Sequence, residues 1–154
     1  MTTTPSVHRR RLFASALAGA GAWFASKTVA KAAPMVSNRA KVVYHVSDRD
    51  KVSFALGNIR NHFDGMGGPD KVTIALVVHG PALKLFQRDA ADPDVTKRMA
   101  DFVAAGLAPA ACIHSMKAQN VTLTDLLPGF VVAERGGVVR IAELQSQGYV
   151  YLKP

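Results

Sequence analysis

Apolar positions follow two different spacings along the chain after residue 40, and these predict strands that alternate with helices. Short apolar and β-branched runs, typical of strands, occur at 41–46, 72–78, 108–113, 130–133 and 149–152. Helical spacing of three and four residues occurs at 50–63, 94–107 and 138–147, with shorter helical stretches at 82–86 and 121–127. Connections of this length imply parallel strands. We therefore expect an α/β fold, a three-layer, flavodoxin-like parallel sheet of about five strands with helices on both faces.

The first 32 residues carry the pattern of an export signal instead. Paired arginines within 9–11 directly precede a short, weakly hydrophobic stretch at 14–24, and Ala30-Lys31-Ala32 resembles an A-x-A cleavage site. This combination resembles a twin-arginine signal. The alternatives are a Sec signal that contains three arginines and a retained membrane anchor. We expect cleavage near Ala32 or Ala33 and a periplasmic location.

The part that follows the signal is short enough for one domain. Residues 33–40 show no periodic pattern and are interpreted as a tether, and the domain is assigned to 41–154. Past the N-terminus, no apolar stretch reaches the roughly 18–20 residues that a membrane span needs. We therefore expect no stable membrane span after cleavage.

The formal net charge of +8 does not indicate a nucleic-acid partner. Five of the positive charges, at 9–11, Lys27 and Lys31, belong to the predicted signal. The remaining basic residues are interspersed with carboxylates, without a basic run or the aromatic platform that single-strand binders use. We expect no nucleic-acid binding.

Candidate chemistry lies where the predicted strands end, because ligands of open parallel sheets bind outside the carboxyl ends of the strands. Asp48 follows the first strand, and His79 and Gly80 follow the second. The third strand ends with Cys112, and His114 comes just after it. Asp48 is equally well explained as a helix N-cap.

Cys112 is the sole cysteine, so the chain cannot form an intramolecular disulfide. A thiolate is favoured by a helix N-terminus or a neighbouring cation. A helical turn beginning near His114 would direct N–H groups at the sulfur, and Lys117 or His79 would add positive charge. The alternative is a structural role, because the residues before Cys112 are apolar and free cysteines are often buried as small hydrophobic residues.

Other site types have weaker support. His79, His114 and Cys112 have the ligand types of a His₂Cys metal site, but structural or surface histidines are the simpler interpretation, and we assign no metal or cofactor. His45 is expected to face the core or sheet, and His62 is expected to be exposed. The chain lacks a G-x-S-x-G motif, a Walker A loop and a G-x-G-x-x-G motif after a strand.

Five short segments, taken in order, resemble the DsrE/DsrF-like family of small α/β proteins of bacterial sulfur metabolism. The segments are Val-Tyr-His-Val at 43–46, Leu-Gly-Asn-Ile-Arg-Asn at 56–61, Val-Val-His-Gly-Pro at 77–81, Cys-Ile-His-Ser-Met at 112–116 and the closing residues 144–154. The resemblance extends over nearly all of 41–154. It implies an oligomer, commonly a trimer or hexamer.

In the sulfur-transferring members, the cysteine at the position of Cys112 accepts sulfane sulfur as a persulfide and passes it on. The leading hypothesis is therefore a periplasmic sulfur carrier or sulfurtransferase-like protein, in which His79, His114 and Lys117 stabilise the anion or select the donor. Its partner would be a sulfur donor or acceptor protein or a small sulfane-sulfur compound. The sequence departs from the family after the cysteine, where residues 113–116 replace a small polar stretch ending in Thr-Met. The alternative is a non-catalytic ligand-binding or assembly module in which Cys112 is structural.

Overall fold

A five-stranded parallel sheet lies at the centre of residues 39–154, the part of the chain that the computed structural model describes. The strands and helices, in chain order, are β1 (Ala40–Val46), α1 (Val52–Gly65), β2 (Val72–Val78), α2 (Pro93–Ala104), β3 (Ala108–Cys112), α3 (Ile113–Ala118), β4 (Val131–Ala133), α4 (Gly137–Ser146) and β5 (Val150–Leu152). Short 3₁₀ segments lie at Arg49–Lys51, Gly80–Phe86 and Leu123–Asp125. The predicted export signal, residues 1–32, lies outside the described residues.

The strand order β4-β3-β2-β1-β5 determines which helix covers which face of the sheet. From β1 to β4 the chain moves in one direction across the sheet, and from β4 to β5 it returns past all the other strands. Because crossovers between parallel strands are right-handed, a reversal of direction places the crossover helix on the opposite face. Within the described residues, α4 is accordingly the helix that packs on the second face, where it contacts β1, β2 and β3. The predicted parallel sheet with helices on both faces is confirmed.

Side chains along the central strands point alternately to the two faces of the sheet, so the core has two layers. The larger layer combines one face of β1 and β2, including Val46 and Leu76, with α1, α2 and the 3₁₀ segment at Gly80–Phe86. The smaller layer combines Val43 and Val77 with buried residues of α4. Each fully buried valine or leucine side chain stabilises the fold by about 1.5–3 kcal/mol through the hydrophobic effect.

Tertiary hydrogen bonds replace one predicted helix. The stretch 121–127 forms only the 3₁₀ turn at Leu123–Asp125. Beyond it the backbone N–H of Leu127 donates to Phe86 at 2.9 Å, and the N–H of Arg88 donates to Asp125 at 2.8 Å. A continued helix would lose both bonds, so the chain extends instead.

The prediction that His62 is exposed is wrong. The residue is half-buried, and its Nδ1 lies 3.0 Å from the hydroxyl of Tyr44. Tyr44 points from β1 into the larger core layer, where its hydroxyl requires a polar partner.

Among residues 39–154, no helix combines the length and the apolar character that crossing a membrane requires.

Two phenylalanines of α1 provide a matched test of this packing. Phe63 is 6% exposed and packs beside Phe102, with ring centroids 6.0 Å apart, whereas Phe54 is 60% exposed. We expect Phe63→Ala to lower the free energy of unfolding by about 3–5 kcal/mol, because it leaves a cavity. Phe54→Ala should change it by less than about 0.5 kcal/mol. Urea unfolding of both variants measures the difference, and equal losses would contradict the assigned faces of α1.

Candidate functional site

Cys112 is the last residue of β3 and directly precedes α3. Its backbone is extended, with φ −66° and ψ 122°, and the next residue begins the helix. The side chain is 5% exposed and forms part of a cavity wall. The sequence had predicted that β3 extends to Ile113, but the helix starts there. This arrangement places the sulfur at the carboxyl edge of the sheet, where ligands of parallel sheets bind.

A cavity of about 800 Å³ opens at this edge. Its walls come from the ends of β2 and β3, from α3 and from the start of α4. The lining residues are Arg49, His79, Gly80, Pro81, Lys84, Cys112, His114, Ser115, Ala118, Gln119, Arg135, Gly136, Gly137, Val138 and Val139. The volume is within the range of small-molecule sites, about 300–1,000 Å³.

Two opposing effects set the pKa of the Cys112 thiol. Burial raises it, whereas the backbone N–H groups of Ser115, Gly137 and His114 and the hydroxyl of Ser115 lower it. The lowering effects prevail, so the pKa is below its ordinary value. The sulfur makes no regular capping hydrogen bond to α3, so these groups act on the thiolate as oriented dipoles. The N–H group of Gly137, at the start of α4, thus adds to those of the helix that begins directly after Cys112.

Two glycines allow α4 to approach the thiol closely. A Cβ on Gly137 would lie 3.2 Å from the Cβ of Cys112 and 3.3 Å from that of His79. Gly136 has φ +96°, and a Cβ there would lie 2.9 Å from the His114 ring. A side chain at position 137 would therefore require Cys112, His79 or the first turn of α4 to shift by a few tenths of an ångström, and one at position 136 would displace the His114 ring.

A chain of ring contacts leads from the cavity toward the edge of the sheet. The Nε2 atoms of His79 and His45 are in direct contact, and His45 Nδ1 lies 2.7 Å from the hydroxyl of Tyr151. Burial lowers the pKa of His45 to about 4, and His79 and Lys153 reinforce the decrease. The pKa of His79 is also lowered, first by burial and then by Lys153. Both shifts disfavour the protonated, positively charged form of the two rings.

Four of the six predicted site residues line the cavity: Cys112, His79, Gly80 and His114. Gly80 has φ +59°, its N–H donates to the Ser115 hydroxyl at 2.7 Å, and its carbonyl accepts from the Gln119 amide at 2.8 Å. These bonds connect the end of β2 to α3.

The other two predicted residues, Lys117 and Asp48, do not line the cavity. The lining positions of α3 and the residue after it, 114, 115, 118 and 119, occupy one side of the helix, and the helical rotation of about 100° per residue places Lys117 on the other. Asp48 precedes the 3₁₀ turn at Arg49–Lys51 and accepts a hydrogen bond from the Ser47 hydroxyl at 2.9 Å. The negative charge of Asp48 partly opposes the lowering of the pKa of His45 and His79.

The sequence did not identify the other lining residues, among which Arg49, Lys84, Arg135, Gly136 and Gly137 supply the basic groups and the glycine pair. The glycine pair follows β4 and begins α4, so the strand-end criterion applied to the fourth strand would have identified it. Arg49 and Arg135 lie in the same strand-end loops, but the sequence does not show that their side chains and that of Lys84 meet at one cavity, because this depends on how the 3₁₀ segments and α4 pack.

The candidate metal ligands do not converge. Within residues 39–154, no group of three or more His, Cys, Asp or Glu side chains is arranged to hold a metal ion, and Cys112, His79 and His114 form no such group.

Comparison with known proteins gives a family and a shared fold. The model of the DsrE/DsrF-like family matches residues 37–154. A protein of unknown function from Methanobacterium thermoautotrophicum has a similar structure, with a TM-score of 0.66, 25% identity, and coverage of 75% of this chain and 99% of its own. The ychN protein from E. coli has a TM-score of 0.60 at 11% identity and the same coverages. A conserved protein of unknown function from Bacteroides thetaiotaomicron has a TM-score of 0.56 at 18% identity, covering 74% of this chain and 94% of its own. No curated protein matches the sequence.

Ser115→Ala tests the origin of the lowered thiol pKa. The variant removes one of the dipoles that favour the thiolate, so the pKa of Cys112 should rise. Since the thiolate is the reactive form, the midpoint of the alkylation rate against pH should move to higher pH. Ser53→Ala, at an exposed serine of α1, is the matched control. Both variants are checked for folding by urea unfolding, because the Ser115 hydroxyl also accepts from Gly80. Identical midpoints in the two variants would refute this assignment.

Proposed function

The chain belongs to the DsrE/DsrF-like family, and from this premise we propose that it carries sulfane sulfur as a persulfide on Cys112. Membership suggests a sulfur-relay-type function at the level of the family. The observation that supports the specific proposal is the position of Cys112 in a cavity wall, with N–H groups from two helices lowering its pKa. A thiolate is the nucleophile that sulfur transfer requires.

The transfer follows the course of thiol–disulfide exchange. The Cys112 thiolate attacks the outer sulfur of a sulfane donor and forms a new S–S bond. The donor's own bond to that sulfur breaks, and the electron pair leaves with the donor. In the second step an acceptor thiolate attacks the outer sulfur of the Cys112 persulfide, and Cys112 is released as the thiolate. Because sulfur passes from one thiolate to another, no additional oxidant is needed.

The surroundings of Cys112 fit a persulfide as well as a thiolate. The outer sulfur needs space beyond the cysteine side chain, and the cavity of about 800 Å³ provides it. The N–H groups of Ser115, Gly137 and His114 stabilise negative charge near the sulfur. His79 lies beside Cys112, since the Cβ atoms of both residues adjoin Gly137, and its imidazole is a hydrogen-bonding group in the same cavity wall.

The low exposure of Cys112, 5%, favours a second candidate function. In this alternative the cavity binds a small ligand without sulfur transfer, and Cys112 is a packing residue. Free cysteines buried among apolar residues are commonly inert.

We also propose that the protein is exported to the periplasm through a twin-arginine signal at residues 1–32. The support is the sequence pattern itself, three arginines at 9–11, the weakly hydrophobic stretch at 14–24 and the Ala-Lys-Ala site. Export in the folded state would preserve a site that depends on packing between distant parts of the chain.

The loading test exploits the presence of a single cysteine. The purified protein is incubated with inorganic polysulfide, and its intact mass is measured before and after reduction. We expect a gain of whole sulfur atoms that a reductant reverses. Cys112→Ser should show no gain, because it has no other thiol. No gain in the native protein, together with full thiol reactivity after denaturation, would support the packing role instead.

The export proposal is tested by replacing all three arginines at 9–11 with lysine. The charge is preserved, so a Sec signal should still function, whereas a twin-arginine signal should not. We expect the wild-type protein in the periplasmic fraction and the variant in the cytoplasm. A variant that remains periplasmic indicates Sec export, and a wild-type protein found in the cytoplasm would overturn export altogether.

A further inference from the structure

The charge around the cavity is of one sign. Three basic side chains line it, Arg49, Lys84 and Arg135, and no carboxylate is among the lining residues. Within residues 39–154, Arg49 and Lys84 form no salt bridge, whereas Arg135 pairs with Glu143 at 3.0 Å. The basic groups come from three separate segments, the turn before α1, the 3₁₀ segment after β2 and the loop before α4. A concave site lined by one sign of charge concentrates ligands of the opposite sign.

The size of the cavity indicates the kind of anion. An inorganic anion of a few atoms would fill only a small part of about 800 Å³. Between the basic groups the wall is small or apolar, with Pro81, Ala118, Val138 and Val139. This combination suits an organic molecule that has an apolar body and more than one negative group.

We propose that the cavity binds a low-molecular-weight organic thiol that carries carboxylates, together with its persulfide, and presents the sulfur to Cys112. The inference deepens the proposed function and rests on it. Arg49 and Lys84 are specificity-determining residues in this proposal, because they are the cavity's cations without a carboxylate partner in the described part of the chain. Arginine and lysine both bind carboxylates through charge-assisted hydrogen bonds.

The reaction balances without a further reagent. The Cys112 thiolate forms a bond to the outer sulfur of R–S–SH, and the bond between the two donor sulfurs breaks. The electron pair stays on the inner sulfur, which leaves as R–S⁻, and the proton remains on the outer sulfur. The products are the Cys112 persulfide and the carboxylate-bearing thiolate.

Binding and transfer are measured with separate probes on the purified full chain. S-Methylglutathione carries two carboxylates but has no transferable sulfur, so its protection of Cys112 against iodoacetamide reports binding alone. Its dimethyl ester, which lacks the carboxylates, is the control ligand. For each variant, protection is expressed relative to the alkylation rate of that same variant without ligand, because a change in nearby charge also alters the pKa of the thiol.

We expect S-methylglutathione to protect Cys112 and the ester to protect it at least about tenfold less well. Arg49→Gln and Lys84→Gln should each raise the half-protection concentration of S-methylglutathione about tenfold and leave that of the ester unchanged. Arg60→Gln and Lys97→Gln are matched controls, since both residues pair with Asp101 away from the cavity. Equal protection by acid and ester, or equal effects of cavity and control variants, would overturn the proposal.

Glutathione persulfide then separates this inference from the proposed function. Protection by S-methylglutathione without mass gain from glutathione persulfide or inorganic polysulfide would refute sulfur carriage and leave the anion site in place. Loading by polysulfide without protection by S-methylglutathione would refute the anion site and leave sulfur carriage in place, with a protein-borne persulfide as the remaining donor class.

Discussion

The close contact between the start of α4 and the end of β3 is the constraint on which the site depends. Gly137 lies against the Cβ atoms of Cys112 and His79, where a side chain would not fit without movement. The contact brings the Gly137 N–H to the sulfur and closes one wall of the cavity. The contact is possible because the last crossover runs back across the sheet. It places α4 on the face of the sheet from which the Cys112 side chain projects.

Electrostatics at this contact favour negative charge on the sulfur. The dipoles around Cys112 outweigh the effect of burial on its pKa, and burial, reinforced by Lys153, lowers the pKa of both His45 and His79. The cations Arg49 and Lys84 line the same cavity as Cys112. Two kinds of group therefore favour negative charge at this site. The oriented N–H groups act on the sulfur, and the basic side chains act on an anion in the cavity.

The histidine contact shows how a strand residue reaches a site without lining it. His45 lies in the interior of β1, opposite Val77 in the parallel register, and its ring stacks on His79 at 4.6 Å between centroids. From the sequence it was interpreted as facing the core or sheet. The structure places His45 between Tyr151 and His79. Tyr151, on the final strand β5, is therefore connected to the cavity residue His79 through the ring of His45.

The local sequence pattern by itself determined most of the strands and helices and four of the residues that line the cavity. The run at 72–78 predicted β2 to the residue, and the strand-end criterion identified Cys112, His79, Gly80 and His114, because periodicity and chain order are local properties. Only the tertiary structure decided the rest. The strand order, the approach of Gly137 to Cys112 and the position of Arg49 and Lys84 on one cavity depend on how distant segments pack, and the failure of the helix at 121–127 depends on bonds to residues 86 and 88. Lys117 was misplaced because spacing near a cysteine does not state which side of a short helix faces the sulfur.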